Sequence, residues 1–280
     1  MDGSQTLSHT EQTAKSEPLA GTNAIETAVF AIELAQPQTH DRVEAIKQAL
    51  DAFAQELPGE HIAQQPNMFV AFGPTLPPFG EALRFVAKPT GDHAWRVQLT
   101  GNVLQVICTE YTRFSEVWGR AHKYVQAMLA AADPDCIVTS VSHQYIDKFL
   151  YPAGMTLHQY SMAELFSRDT AYLTPQAWNS GLEWHVYQGW FDYANAESRR
   201  MLHQLNVTNA TLAAPMPRLA SVIDHRTSLQ YAAAQPPTAG QMAAPDGPLD
   251  AHMAELHAAH KAVIAQLLRL EKRQEIGMEI

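Results

Sequence analysis

The sequence predicts an α+β fold: a mixed, largely antiparallel β-sheet with a central βαβ unit, helices packed on it, and a heptad-patterned helix near the C-terminal end. Three observations carry this. Residues 101–149 read as strand, amphipathic helix, strand. Residues 182–229 hold three long strand-like runs in succession. Residues 249–270 place an apolar side chain at every seventh position, at Leu249, Leu256, Val263 and Leu270.

The elements follow in order. Residues 1–22 are polar and poor in large apolar groups, which predicts a disordered segment. In residues 25–34, Ala28, Phe30, Ile32 and Leu34 alternate with Glu33 on the opposite face, the period of a strand. Asp41 and Glu44 have capping-box spacing ahead of Val43, Ile46, Leu50, Phe53 and Leu57, so a helix is expected over 41–57, stopped at Pro58–Gly59. Residues 68–72 suggest a strand and 73–80 a Pro-rich loop. Strands at 83–87, 94–99 and 102–108 are joined by short turns, which favours antiparallel neighbours.

The central helix is expected over 113–131. Phe114, Val117, Trp118, Ala121, Val125, Met128 and Leu129 form one stripe, with Arg113, Glu116, Arg120 and Lys123 mainly opposite. Asp133–Pro134 ends it, and 136–146 returns as a strand, the pattern of a parallel crossover. Ser161 and Glu164 make a second capping box before Leu165 and Phe166. Runs at 182–191, 201–212 and 218–229 predict an antiparallel meander. Residues 231–248 are rich in Ala, Pro and Gly and predict a flexible linker. In the last helix Met253, His260 and Leu267 fill the positions between the seven-residue repeats. The expected units are therefore 1–22, an α/β half over 23–150, a meander half over 151–230 continuous with it, the linker 231–248, and the helix and tail 249–280.

Composition bounds the function. The 280 residues carry a net charge of -10 with 46% hydrophobic residues, and the mean hydropathy is -0.21. Lys and Arg are scattered, so no basic surface for DNA or anionic membrane is expected. No apolar run reaches the ~20 residues that span a bilayer, and the first residues lack the apolar core of a secretory signal. Cys108 and Cys136 fall at opposite ends of their strands, too far apart to bridge. Two reduced thiols imply a reducing compartment, so a cytoplasmic location is expected.

Thirteen histidines invite a metal hypothesis, yet H-E-x-x-H, C-x-x-C and paired Cys/His sets are all missing. His257 and His260, at i and i+3 on one helix, are the weak candidates; a histidine in a heptad seam equally serves to set register. Asp224, His225 and Arg226 are consecutive in a strand, so Asp224 and Arg226 share a face that His225 does not. With Glu183 and His185, which share a face of another meander strand, they make a weak acid–base set if those strands are neighbours. The plain alternative is a sheet with one wet face. His143, Tyr145 and Asp147 share a strand face, and both His and Tyr are often half-buried. Nucleophile elbows and phosphate loops are missing. Trp184 and Trp190 alternate with Tyr187 and Phe191, in a dense aromatic set with Trp178 and Tyr193. One face of that set must pack; the other, if exposed, is a protein- or base-stacking surface, and without a basic surround protein contact is favoured.

Four short motifs add a resemblance. They are Ile25–Glu26 with Val29, Phe30 and Ile32; Glu110–Tyr111 followed by Phe114; Val141 to Asp147; and Leu256, His257 and His260. Together they make the chain, over most of 23–270, similar to a sporadically distributed family of uncharacterised bacterial proteins. The chain departs from that family at Gln144 and Ser140, where arginines are usual, and at Arg269–Leu270–Glu271, where a Thr-Asp/Glu end is usual. The resemblance implies membership of a defence or mobile-element gene set and no particular reaction. Gln144 joins Asp224 and Arg226 as a candidate ligand-binding group.

Three functions compete. The first is a cytoplasmic interaction or sensor protein without catalysis, self-associating through Leu249, Met253, Leu256, His260, Val263, Leu267 and Leu270. The second is a metal-assisted hydrolase using Glu183, His185, Asp224 and His225. The third is a small-ligand-binding module on the same polar face. The residues favour the first, with a second copy or another protein as partner and no cofactor implied.

Overall fold

The computed structural model describes residues 13–63, 81–192, 199–212 and 217–278. The expected strand at 68–72 and loop at 73–80 lie outside the described residues. Ten strands form one antiparallel sheet: β1 (Glu17–Pro18), β2 (Ile25–Leu34), β3 (Gly59–Ala63), β4 (Glu81–Ala87), β5 (His93–Thr100), β6 (Val103–Cys108), β7 (Val138–Leu150), β8 (Trp184–Asp192), β9 (Arg199–Leu212) and β10 (Arg218–Tyr231). Their order is β3-β4-β5-β6-β2-β7-β10-β9-β8. One sheet thus runs through both expected halves, and β7 is where they join, pairing with β2 on one side and β10 on the other. β1 extends the lane beside β7 that β2 leaves at Asp147.

The helices are α1 (His40–Leu50), α2 (Phe114–Ala131), α3 (Met162–Leu165), α4 (Pro175–Trp178), α5 (Ala239–Ala243), α6 (Leu249–Leu267) and α7 (Leu270–Glu275). Most of the clustered core side chains of the sheet share the face on which these helices pack, while Val29, Ala31, Ile107 and Ile146 are buried on the other. Phe30, Ile32, Val106 and Tyr145 meet α1 and α2, while Leu205, Val207 and Ile223 meet α3, α4 and α6. Period-two alternation decides this, since Ala28, Tyr145, His225 and Leu205 occupy one row across β2, β7, β10 and β9.

The crossover differs from its simplest form. β6 and β7, joined by α2, run parallel, but β2 lies between them and is antiparallel to both. Cys108 sits level with Tyr145, and Cys136 precedes the far end of β7, some seven residues or about 23 Å away along the strand. Both cysteines are free.

Several expected boundaries move for local reasons. α1 is capped by Thr39, whose Oγ1 accepts from Arg42 N at 3.4 Å, while Glu44 pairs with Lys47. The helix tightens into a 3-10 turn at Asp51–Phe53. Ser161 stands at the start of α3 without a side-chain cap. Glu164 instead accepts from Ser16 Oγ at 2.8 Å and lies 2.8 Å from the buried ammonium of Lys272. Lys272 also reaches Glu275 at 3.0 Å. This knot holds residues 13–18 against α3 and α7, so the part of the expected disordered segment that is described is ordered, with Ser16 buried. The expected linker contains α5, opened by a capping box between Thr238 and Gln241, with Ala239 and Met242 buried. No helix among the described residues is long and apolar enough to cross a membrane.

Candidate functional site

α6 begins where the heptads predict, and its seam is used inside the chain. Leu249, Met253, Leu256, His260, Val263 and Leu267 are buried, and the helix lies on β7 and β10. Leu270, the last expected seam residue, falls after a break at Leu268, opens α7 and is exposed. The expected intermolecular interface is therefore occupied by the chain's own sheet. A seven-residue repeat marks one apolar helix stripe, and a sheet accepts such a stripe as readily as a second helix does.

Beneath α6 the sheet face is polar. β9 contributes His203, β10 His225, and β7 His143, Tyr145 and Asp147; α6 lowers His257 and His260 onto them. His203 Nδ1 lies 3.3 Å from His225 Nε2, and His225 Nδ1 lies 3.1 Å from His260 Nδ1. His260 Nε2 is 3.8 Å from Asp147 Oδ2. Trp190 stacks on His203 with centroids 4.7 Å apart and planes 3° apart. A second chain runs beside this one: Tyr111 OH to Tyr145 OH at 3.1 Å, then Tyr145 OH to His257 Nδ1 at 3.2 Å. Phe114, from the start of α2, stacks flat on His257 at 4.1 Å. His143 fits between the two chains with its ring 3.9 Å from that of Tyr145, and neither of its nitrogens has a partner.

Burial sets the charge state. Desolvation holds His143 and His260 well below the ordinary histidine range, reinforced in both by neighbouring histidines. Desolvation and His203 press His225 down to about 3. His257 falls to about 4 through burial and Lys261, and His252, bonded to Tyr231 OH at 2.7 Å, falls to about 4 through burial and Arg199. His203 is lowered by burial against an opposing pull from Asp192. Asp147 is raised to about 7 by desolvation and by Asp224. At neutral pH these are neutral imidazoles beside a carboxyl group whose hold on its proton is raised far above the ordinary carboxylate range.

Chemically the arrangement is a series of imidazoles. His225 meets its two neighbours through opposite ring nitrogens, so the contacts run in series and do not converge on a point. Among the described residues no group of three or more His, Cys, Asp or Glu is placed to hold a metal. Neutral imidazoles in series can take up and hand on protons, and each proton taken into this dry space carries a desolvation cost.

The expected acid–base patch is not assembled. β9 lies between β8 and β10, so Glu183 and His185 are separated from Asp224 by a strand. Both are exposed, and Glu183 accepts from Thr211 N at 3.3 Å. Asp224 and Arg226 do share the face turned away from the helices, where Asp224, Gln144 and Ser142 are buried. Asp224 accepts from Gln144 Nε2 at 2.6 Å, and Arg226 donates to Ser142 Oγ at 3.3 Å. His225 points the other way, toward α6, as the alternation requires. Of the weak metal pair, His260 joins His225, whereas His257 joins Tyr145. The face shared by His143, Tyr145 and Asp147 is as expected. His203 is a further member that the sequence signals only through its strand face, which it shares with Met201, Leu205 and Val207. Tyr187 and Phe191 are the exposed side of the aromatic set, and Trp184 and Trp190 the packed side; Tyr193 lies outside the described residues. Cys108 is fully buried, and burial pushes its thiol up to about 11. No protein-family model matches the chain, and no curated protein matches it.

Proposed function

We propose that the chain is a cytoplasmic interaction protein of sensor type, in which the histidine relay under α6 is the responsive element. The observation that carries this reading is the series His203–His225–His260, closed over by one helix whose apolar stripe has the pattern of a self-associating seam. At neutral pH the stripe is held on β7 and β10. On acidification His143, His225, His257 and His260 take protons only if water reaches them, which favours lifting α6. Asp147 opposes this by taking its own proton first. The lifted helix offers Leu249, Met253, Leu256, Val263 and Leu267 to a second copy. Two free cysteines support the reducing compartment. A ligand-binding role for the face turned away from the helices is the second reading, favoured by the Gln144–Asp224 and Arg226–Ser142 contacts.

Light-scattering mass of the full chain at pH 7.5 and pH 5.5, with far-UV dichroism on the same samples, tests the first reading. The expected result is a monomer at pH 7.5 and a reversible dimer or larger species at pH 5.5 with helix content kept. The His225→Leu/His260→Leu double variant should stay monomeric at both. One mass at both pH values, or a variant that associates as the parent does, overturns the reading.

A further inference from the structure

At the end of the sheet where β2 begins and β6 ends, a cleft of about 720 Å3 opens between β2, β5, β6 and the turn at 19–23. Arg96 reaches it from the face of β5 turned away from the helices. Its Nε is buried without a hydrogen-bond partner, and among the described residues Arg96 makes no ion pair. A guanidinium presents five donors in a fixed fork; in half-buried Arg96 the Nε donor is the one withdrawn from water without a partner, which is costly. Consistent with this, burial alone lowers its pKa, with no carboxylate acting against it.

The rest of the lining shows which charges are free. Lys88 Nζ donates to Thr109 O at 3.1 Å, which leaves two of its three protons uncommitted. Three carboxylates also line the cleft. Glu26 is taken by Lys148, and Asp92 accepts from Thr90 Oγ1 at 3.2 Å within the turn. Glu110 is exposed at the rim. Asn23 Nδ2 fixes the wall by donating to Tyr111 O at 2.6 Å.

We infer that this cleft binds the oxyanion group of a small ligand, a carboxylate or a phosphate, with Arg96 as its principal partner and Lys88 as the second cation. The site stands apart from the acid response proposed above, although Tyr111, which lines it, is also the outer end of the Tyr111–Tyr145–His257 chain.

Calorimetric titration of the full chain with inorganic phosphate and with acetate, at pH 7.5 and constant ionic strength against chloride, tests the inference. Saturable binding of either anion is expected, and the anion that binds assigns the class. Arg96→Gln should weaken it about tenfold or more, the loss of a charge-assisted bond. Lys88→Gln, at a less enclosed position, should weaken it by a smaller factor and serves if the Arg96 variant does not fold. Binding of neither anion, or undiminished binding in the folded variants, overturns the inference.

Discussion

His143 is 1% exposed, and neither ring nitrogen meets a donor or acceptor. A buried polar group without a partner costs about 1–3 kcal/mol. It persists here in an aromatic cage of Phe30, Tyr145 and Phe114. His143→Leu, close in volume, removes the unpaired nitrogens and should leave urea stability at pH 7 unchanged or higher. Tyr145→Phe has the opposite effect, because its hydroxyl is the partner of both Tyr111 and His257. Losing it should cost about 1–3 kcal/mol. A stabilised Tyr145→Phe together with a strongly destabilised His143→Leu would mean that these polar contacts have been placed wrongly. The facing of these residues was legible in the sequence: alternation puts His143 with Tyr145 and sets His225 against Asp224. Their mutual contact was not, since His203, His225 and His260 meet through strand register and helix docking, which no local spacing encodes.

At the scale of elements, periodicity carried most of the reading. α2 and α6 begin within a residue of where their stripes start, and the meander strands β8, β9 and β10 pair in sequence. What the pattern did not hold was the lane between β6 and β7. A βαβ signature states that two strands are parallel and does not say whether a third lies between them. The stretch before α6 also differs from its composition, since its Ala, Pro and Gly content masks a capping box. Gly247 shows why that stretch is ordered: a Cβ there would lie 2.5 Å from Gln241 O and 2.9 Å from Ala244 O. The backbone of α5 closes on Gly247 and aims the chain into α6. Gly247→Ala must push backbone aside, at a cost of about 1–3 kcal/mol. Hydrogen exchange should show faster opening in α6 than in α2. Equal protection of both helices in the variant would show that α6 docks without this turn.

For the molecule as a whole, protons decide how the buried polar layer affects stability. Among the described residues seven histidines, His93, His143, His203, His225, His252, His257 and His260, have folded-state pKa values below the ordinary 6.5. Above pH 6.5 they are neutral in both folded and unfolded chains and contribute no pH dependence. Below it the unfolded chain binds protons that the folded one refuses, so each costs about 1.4 kcal/mol per pH unit until its own folded value is reached. Two carboxyls act in the other direction. Asp147, raised to about 7, and Asp224, raised to about 6, take protons in the folded chain first, which adds stability as pH falls toward the ordinary 3.8. Seven opposing two sets the sign. Stability to urea should stay near level from pH 8 to about 7, then fall steeply between 6.5 and 4. Asp147→Asn removes one compensating carboxyl and should steepen the fall, while His225→Leu removes a histidine and should flatten it. Urea midpoints measured at half-unit steps of pH check all three curves. A stability that rises on acidification from 6.5 to 5 would mean that the histidines beneath α6 are hydrated and charged rather than dry and neutral.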